Sequence, residues 1–559
     1  MLANLGWIGY ILRVMIGARP QFADVVLRRG RVHGRVEAQP TGTAIAVGGG
    51  SILAVGGDAE IDALVGPATD VWELDGASVL PGFIDSHTHF HRAAIVRRLH
   101  LDFETLAPAS VQEILEHVRA RARSSSPDAW IQGDSLSLSR LAEGRLPVRE
   151  ELDAAAGGRR VVLRGIGKHV VAASSAALAA AGIDASTPDP PGGRIERDAA
   201  GTPTGILHER AKLRLDASHP DTIIPPTTRE ERLAALREAF GDLHRLGITT
   251  IHEMIRLPEE ADDLAALHAA GELPVRVRTF YRVHETPIDL DDLAHLGIRA
   301  GFGDDWFGVL GIKISVDGWC IFRNAAVEEP YLDDPANRGL MRIEPALLGE
   351  LVGRANDRGL AIALHAVGPR AVDAALDAFE AAGPASARPY RLEHGHLDMD
   401  ERRLRRIADL GVVWSVQPAL LPAYRLDWEA SLGRERTNGI LPLAAGLRLG
   451  IPLLLNSDVP SGPQDPIGAI RAAVTRRAGG GTIGADQGIP LDVAWRGWTT
   501  SPAQVAGDGH LGCLEPGGAA DMIVVSRDPF VGTIDDEPPI AVMATMVGGR
   551  FVYEDGSWA

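Results

Sequence analysis

Between residues 79 and 458 the chain alternates two patterns: short, nearly continuous apolar runs, and longer stretches in which apolar residues recur every three or four positions. A run of the first kind suits a strand buried on both faces, and the second is one face of a helix. Apolar runs at 79–90, 248–254, 275–283, 309–316, 360–367, 390–397, 412–418 and 451–458 predict eight strands. Between them, EEADDLAALHAAGEL, RAVDAALDAFEAAG and MDERRLRRIADLG carry helical spacing, with a glycine where each helix should stop. Eight strand–helix units predict an α/β fold, a (β/α)8 TIM barrel, whose chemistry belongs at the carboxyl ends of its strands.

The two ends of the chain follow a different rhythm. ADVVLRRGRVHG and AIAVGGGSILAVGG near the start, and GAADMIVVSRDPF and AVMATMVGGRFVYEDG near the finish, are short β-type runs broken by glycine and polar turns. Neither set is large enough to bury a face alone. Residues 20–80 and 508–559 are therefore expected to form one composite β-sandwich around a barrel at 81–507. About 155 residues separate the first two barrel strands, far beyond an ordinary crossover, so roughly 100–245 is an insertion in the first loop, expected to act as a lid or pocket wall. Residues 1–19 read as a loosely held extension upstream of an alternative start at Met15, too short and broken to span a bilayer.

Composition narrows the class. Hydrophobic residues make up 45% and charged residues 23% of the 559 positions, a globular balance that excludes fibrous and disordered classes. A net charge of −18 argues against nucleic acid and favours a small-molecule substrate. No membrane partner is expected, and a homo-oligomer is compatible with this reading. With two cysteines, Cys320 and Cys513, a disulfide framework is not expected, and a cytoplasmic location is. Lysine occurs at Lys168, Lys212 and Lys313 alone, every other basic side chain being arginine. A lysine kept inside an apolar segment then suggests chemistry that arginine cannot supply.

The candidate chemistry gathers at strand ends. Asp85-Ser86-His87-Thr88-His89-Phe90-His91 closes the first strand, and period-two alternation predicts His87, His89 and His91 on one face. Strands five, six and eight end in LAIALHAVG, RLEHGH and LLLNSD, which bring His365, His394 and Asp458 to the same rim. Jointly these predict metal binding, for which neutral imidazole is a standard ligand. His396 and His91, one alternation further along, suit contacts around the ligands or to substrate. Lys313, between Ile312 and Ile314 on strand four, would be a costly buried ammonium. Three roles are open to it: a carbamate formed with carbon dioxide that bridges two metals, an unmodified amine near the site, or a structural group.

The order HxH, Lys, His, His, Asp on strands one, four, five, six and eight resembles the ligand order of the amidohydrolase superfamily. PGFIDSHTHF, IKISVDG followed by EEPYLDDPANRG, LHAVGPRAVDAALDAFE, RLEHGHLD, WSVQP, NSD and LEPGGAADMIVV are similar to its amidohydrolase-3 branch, which includes N-substituted formamide deformylase. The chain departs from the branch at Pro369, His396, Trp319 and Cys320. The resemblance implies one or two divalent metal ions, zinc foremost, held by His87, His89, Lys313 (as N6-carboxylysine), His365, His394 and Asp458. Asp458 is the expected general base, and His169, His396, His91 and Trp319 are candidate substrate contacts. The activity expected is hydrolysis of a carbon–nitrogen bond other than a peptide bond, in an N-acyl, N-formyl, cyclic imide or related amide. Deamination of an amino-substituted heterocycle is the alternative, and a non-catalytic barrel used in assembly a more distant one.

Overall fold

A computed structural model describes residues 22–36, 39–136, 140–165, 170–190, 193–216 and 222–557. The expected extension at 1–19, with Met15, lies outside them. The chain divides into two compact units, residues 1–89 with 240–559, and residues 90–239. Among the described residues no helix is long and apolar enough to cross a membrane.

The first unit holds the barrel. Its strands are β1 (Phe83–Thr88), β2 (Ile248–Ile255), β3 (Arg276–Arg282), β4 (Phe307–Ser315), β5 (Ala361–Ala366), β6 (Arg391–His394), β7 (Val413–Val416) and β8 (Leu453–Leu455). Each pairs in parallel with the next, in sequence order. The chain leaving β8 returns to β1, with Asp458 N donating to His87 O at 3.0 Å and His89 N to Val459 O at 2.9 Å. Met254, Phe280, Leu310, Ala361 and Ala363 pack as one buried apolar cluster. The intervening helices begin and end where local chemistry dictates: at Glu401–Asp409 the Asp400 side chain accepts from Arg403 N at 2.8 Å, and Gly411 follows with φ +62°.

The apolar run expected as one strand at 79–90 is two. Ser78–Pro81 belongs to another sheet, and β1 starts after Gly82, where an added Cβ would strike the Thr249 side chain. That other sheet runs Arg31–Val32, Ser78–Pro81, Met522–Val525, Val542–Val547, Arg550–Glu554, so it draws strands from both chain ends. A four-stranded sheet (Ser51–Gly56, Ala44–Gly48, Val25–Arg28, Asp70–Glu73) shares a buried cluster with it, through Leu27, Ile45 and Val47 on one side and Val79, Met522, Val524 and Met546 on the other.

The second unit starts at Phe90, some ten residues earlier than expected. It is built on a six-stranded sheet of Gly193–Arg197, Pro203–Glu209, Val170–Ala173, Arg160–Gly165, Trp130–Leu136 and Leu101–Asp102. Val161 and Leu163 pack with Ile114, Val118 and Leu152, whereas Val162 packs with Val171, Leu178 and Leu207. Period-two alternation thus buries both faces of this sheet and gives the unit cores of its own.

Candidate metal centre

Every residue of β1 is buried, and its carboxyl end presents His87. The ring is gripped from behind: Nδ1 lies 2.6 Å from Glu393 Oε2, and Glu393 Oε1 lies 2.8 Å from the Arg391 guanidinium. With Nδ1 held by a carboxylate, Nε2 is the nitrogen that faces Asp458 Oδ1, at 3.5 Å. His89 follows the same plan with a backbone partner, Nδ1 lying 3.3 Å from Met254 O and Nε2 3.6 Å from the same Asp458 oxygen. Ligand atoms of His87, His89 and Asp458 all lie within 4.8 Å of one another.

Two further imidazoles continue the cluster. The His394 ring lies 5.2 Å from His87 and 4.3 Å from His365, centroid to centroid. His394 Nδ1 is 2.9 Å from Gln417 Oε1, and the Gln417 amide is itself oriented by donating to Asn456 Oδ1 at 2.8 Å. His365 Nε2 is 3.2 Å from Gly318 O. Burial is the main reason the imidazoles of His87, His365 and His394 resist protonation, and Lys313 adds to it; His87 is pulled down to about 4 and the other two well below the usual range. Neutral rings with one nitrogen tied back are the form in which histidine binds a metal.

Lys313 lies on β4 with its Cα beside Ala363 of β5. It is 4% exposed, and among the described residues its Nζ has no hydrogen-bond partner. Burial lowers its amine below the ordinary lysine range, against the pull of Glu393 and Asp458. Asp458 is pushed the other way, upward, by burial, with Lys313 opposing. Its backbone sits at φ +53°, and His394 at φ +75°; non-glycine residues in the left-handed region cost energy and cluster at functional sites. Four imidazoles, a carboxylate and a buried amine without an acceptor form a donor set that fits a divalent metal.

Four further residues hold these groups, and sequence reasoning missed them. Glu393 orients His87. Asp85 accepts from Ser457 N at 3.0 Å and Ser457 Oγ at 2.6 Å, which ties the segment carrying Asp458 to β1. Asp317 accepts from Ala326 N, Val367 N and Gly368 N, each at 2.9 Å, and so knots the loops after β4 and β5. Gln417 links His394 to His396, whose Nε2 is also 2.9 Å from its carbonyl. Asp85 and Glu393 were visible as buried-strand carboxylates inside DSHTH and RLEH, the reasoning that singled out Lys313.

The remaining candidates fall in different places. His396 is buried beside His394, rings 5.5 Å apart, but β6 ends at His394 and Gly395 has φ +59°, so strand alternation does not carry it there. Alternation fails for His91 too: β1 ends at Thr88, and His91 lies in the helix Phe90–Leu99 of the other unit. Trp319 follows Gly318 and meets Phe322 and Tyr424 edge-on, at 5.7 and 5.1 Å between centroids. His169 lies outside the described residues.

Known proteins agree with this architecture. The chain is 30% identical to the amidohydrolase YtcJ of Bacillus subtilis over 87% of its own length and 91% of that protein's. It is 29% identical to N-substituted formamide deformylase of Arthrobacter pascens, covering 96% and 99%. A crystal structure of an uncharacterized metal-dependent hydrolase from Pyrococcus horikoshii superposes with a TM-score of 0.74 at 25% identity, over 91% of this chain and 98% of that one. The amidohydrolase-3 model of the amidohydrolase family matches residues 70–553. By this match and by its strand-end histidines, the chain belongs to the amidohydrolase family.

Proposed function

We propose that this chain hydrolyses a carbon–nitrogen bond that is not a peptide bond, in an N-acyl, N-formyl, cyclic imide or related amide. His87, His89, Lys313, His365, His394 and Asp458 would hold one or two divalent metals, zinc foremost, with Lys313 as N6-carboxylysine. The observation that carries the reading is the meeting of His87 Nε2 and His89 Nε2 on one oxygen of Asp458, beside a buried Lys313 amine with no acceptor among the described residues. The formamide deformylase likeness supports the bond type. A divalent metal supplies, when bound, Lewis acidity toward a carbonyl and the acidification of water.

The chain's own groups supply the rest. Asp458 is the general base: burial raises its carboxyl, so it can take a proton from the attacking water and release it to the departing nitrogen. That second transfer lets an amine leave as a neutral molecule. Glu393 and Met254 O fix the tautomers of His87 and His89, keeping both Nε2 atoms turned inward. His396, Trp319, His91 and His169 are the groups proposed to meet substrate.

Metal analysis of the purified protein, combined with a hydrolysis screen over N-formyl amines, N-acyl amino acids, cyclic imides and aminoheterocycles, tests the reading. Bound divalent metal with release of amine and acid is the expected result. Ammonia released from an aminoheterocycle, with no amide cleaved, overturns it in favour of deamination.

A further inference from the structure

Arg282 ends β3 on the strand face of Phe280, a barrel-core residue, and its register partner on β4 is Lys313. The side chain is 13% exposed, and among the described residues its only carboxylate neighbour is Glu285, at 3.6 Å. Its Nε is buried and, among the described residues, has no hydrogen-bond partner. Glu285 is shared: Arg342 binds the same oxygen more closely, through Nε at 2.9 Å and through its second nitrogen. Burial, Arg256 and Arg342 lower the Arg282 pKa to about 10, outweighing Glu285. A guanidinium keeps its charge in any folded protein, and it carries five donors in a planar fork. Here that fork is largely withdrawn from water, and the described residues give it one distant, shared carboxylate.

We propose that Arg282, assisted by Arg342, anchors a carboxylate on the substrate, so that the preferred amide carries an anionic group instead of being a neutral N-substituted formamide. This rests on the hydrolytic reading above. The fork matches a carboxylate through two parallel hydrogen bonds, and its position beside Lys313 sets that group next to the reacting bond.

Calorimetry on the metal-loaded full chain tests it with N-methylsulfonylphenylalanine and N-methylsulfonylphenylalaninol, which differ in the carboxylate and contain no hydrolysable amide. The wild type should bind the carboxylate about tenfold tighter or more, as a charge-assisted pair requires. Arg282→Gln should erase that preference, Arg282→Lys should keep part of it, and Arg342→Gln should weaken it less. Equal affinity for the two probes, or no measurable binding of either, overturns the proposal, as does a preference that survives Arg282→Gln. Cleavage of N-formylphenylalanine and N-formylphenylalaninol is followed in parallel. Cleavage without selective binding leaves the hydrolase standing and removes the anion site; selective binding without cleavage of any amide does the reverse.

Discussion

Near the amino end of β3, Arg276 makes a forked pair with Asp521, at 2.7 and 3.1 Å, and Arg278 makes another with Asp508, at 2.7 and 3.3 Å. At the carboxyl end of the same strand, among the described residues, Arg282 has only the shared Glu285 as a carboxylate neighbour, and its register neighbour Lys313 has no acceptor. One strand thus treats buried cations in two ways. Desolvating a charge is expensive, so a barrel that satisfies it at one end and leaves it open at the other separates support from binding. The same contrast holds between two buried lysines: Lys212, in the insertion, is closed by Asp216 at 2.7 Å, whereas Lys313 has no partner among the described residues.

Substitutions at the two ends should therefore fail differently. Asp458→Asn removes the proposed base, and kcat/KM for any amide found to be a substrate should fall about 10³-fold or more, measured by steady-state kinetics, with the melting temperature little changed. A loss under tenfold would remove Asp458 from the proton transfers. Arg276→Met leaves Asp521 buried without its cation and should cost about 3–5 kcal/mol of stability, read by denaturant unfolding. Since Asp521 also accepts from Gly548 N at 2.8 Å, the damage should reach the terminal sheet, visible as faster hydrogen exchange there. Glu393→Gln weakens the grip on His87 Nδ1 and should reduce metal affinity about 10–100-fold in a chelator competition, more than it changes KM. The smallest effect expected is at Trp319→Phe, which keeps the aromatic contacts with Phe322 and Tyr424 while removing an indole N–H: a change in KM of about threefold, within the ordinary worth of a single hydrogen bond. No change at all across a substrate panel would take Trp319 out of the binding surface.

The barrel was legible because each strand buried on both faces is a continuous apolar run that stops at a polar residue, and all eight appear where those runs lie. Its metal-type side chains were legible for the same reason, standing at strand ends. What was lost lay where one pattern passes into another without a break. The apolar run through Gly82 hid a change of sheet, and extending alternation past Thr88 put His91 on a strand although the chain had already turned into a helix. Glu393 and Asp85 escaped because their roles depend on residues hundreds of positions away, Glu393 facing His87 and Asp85 facing Ser457. Arg282 escaped because an arginine at a strand end looks solvated until its burial is known.

The mixed sheet that unites the two chain ends has a consequence for biosynthesis. As the protein emerges from the ribosome, Ser78–Pro81 has, among the described residues, no strand partner beyond the short Arg31–Val32 until Met522–Val525 has been made. The lead-in to β1 is thus secured only after Met522–Val525 has been made, and disrupting that strand should loosen β1 and its histidines from a distant stretch of sequence.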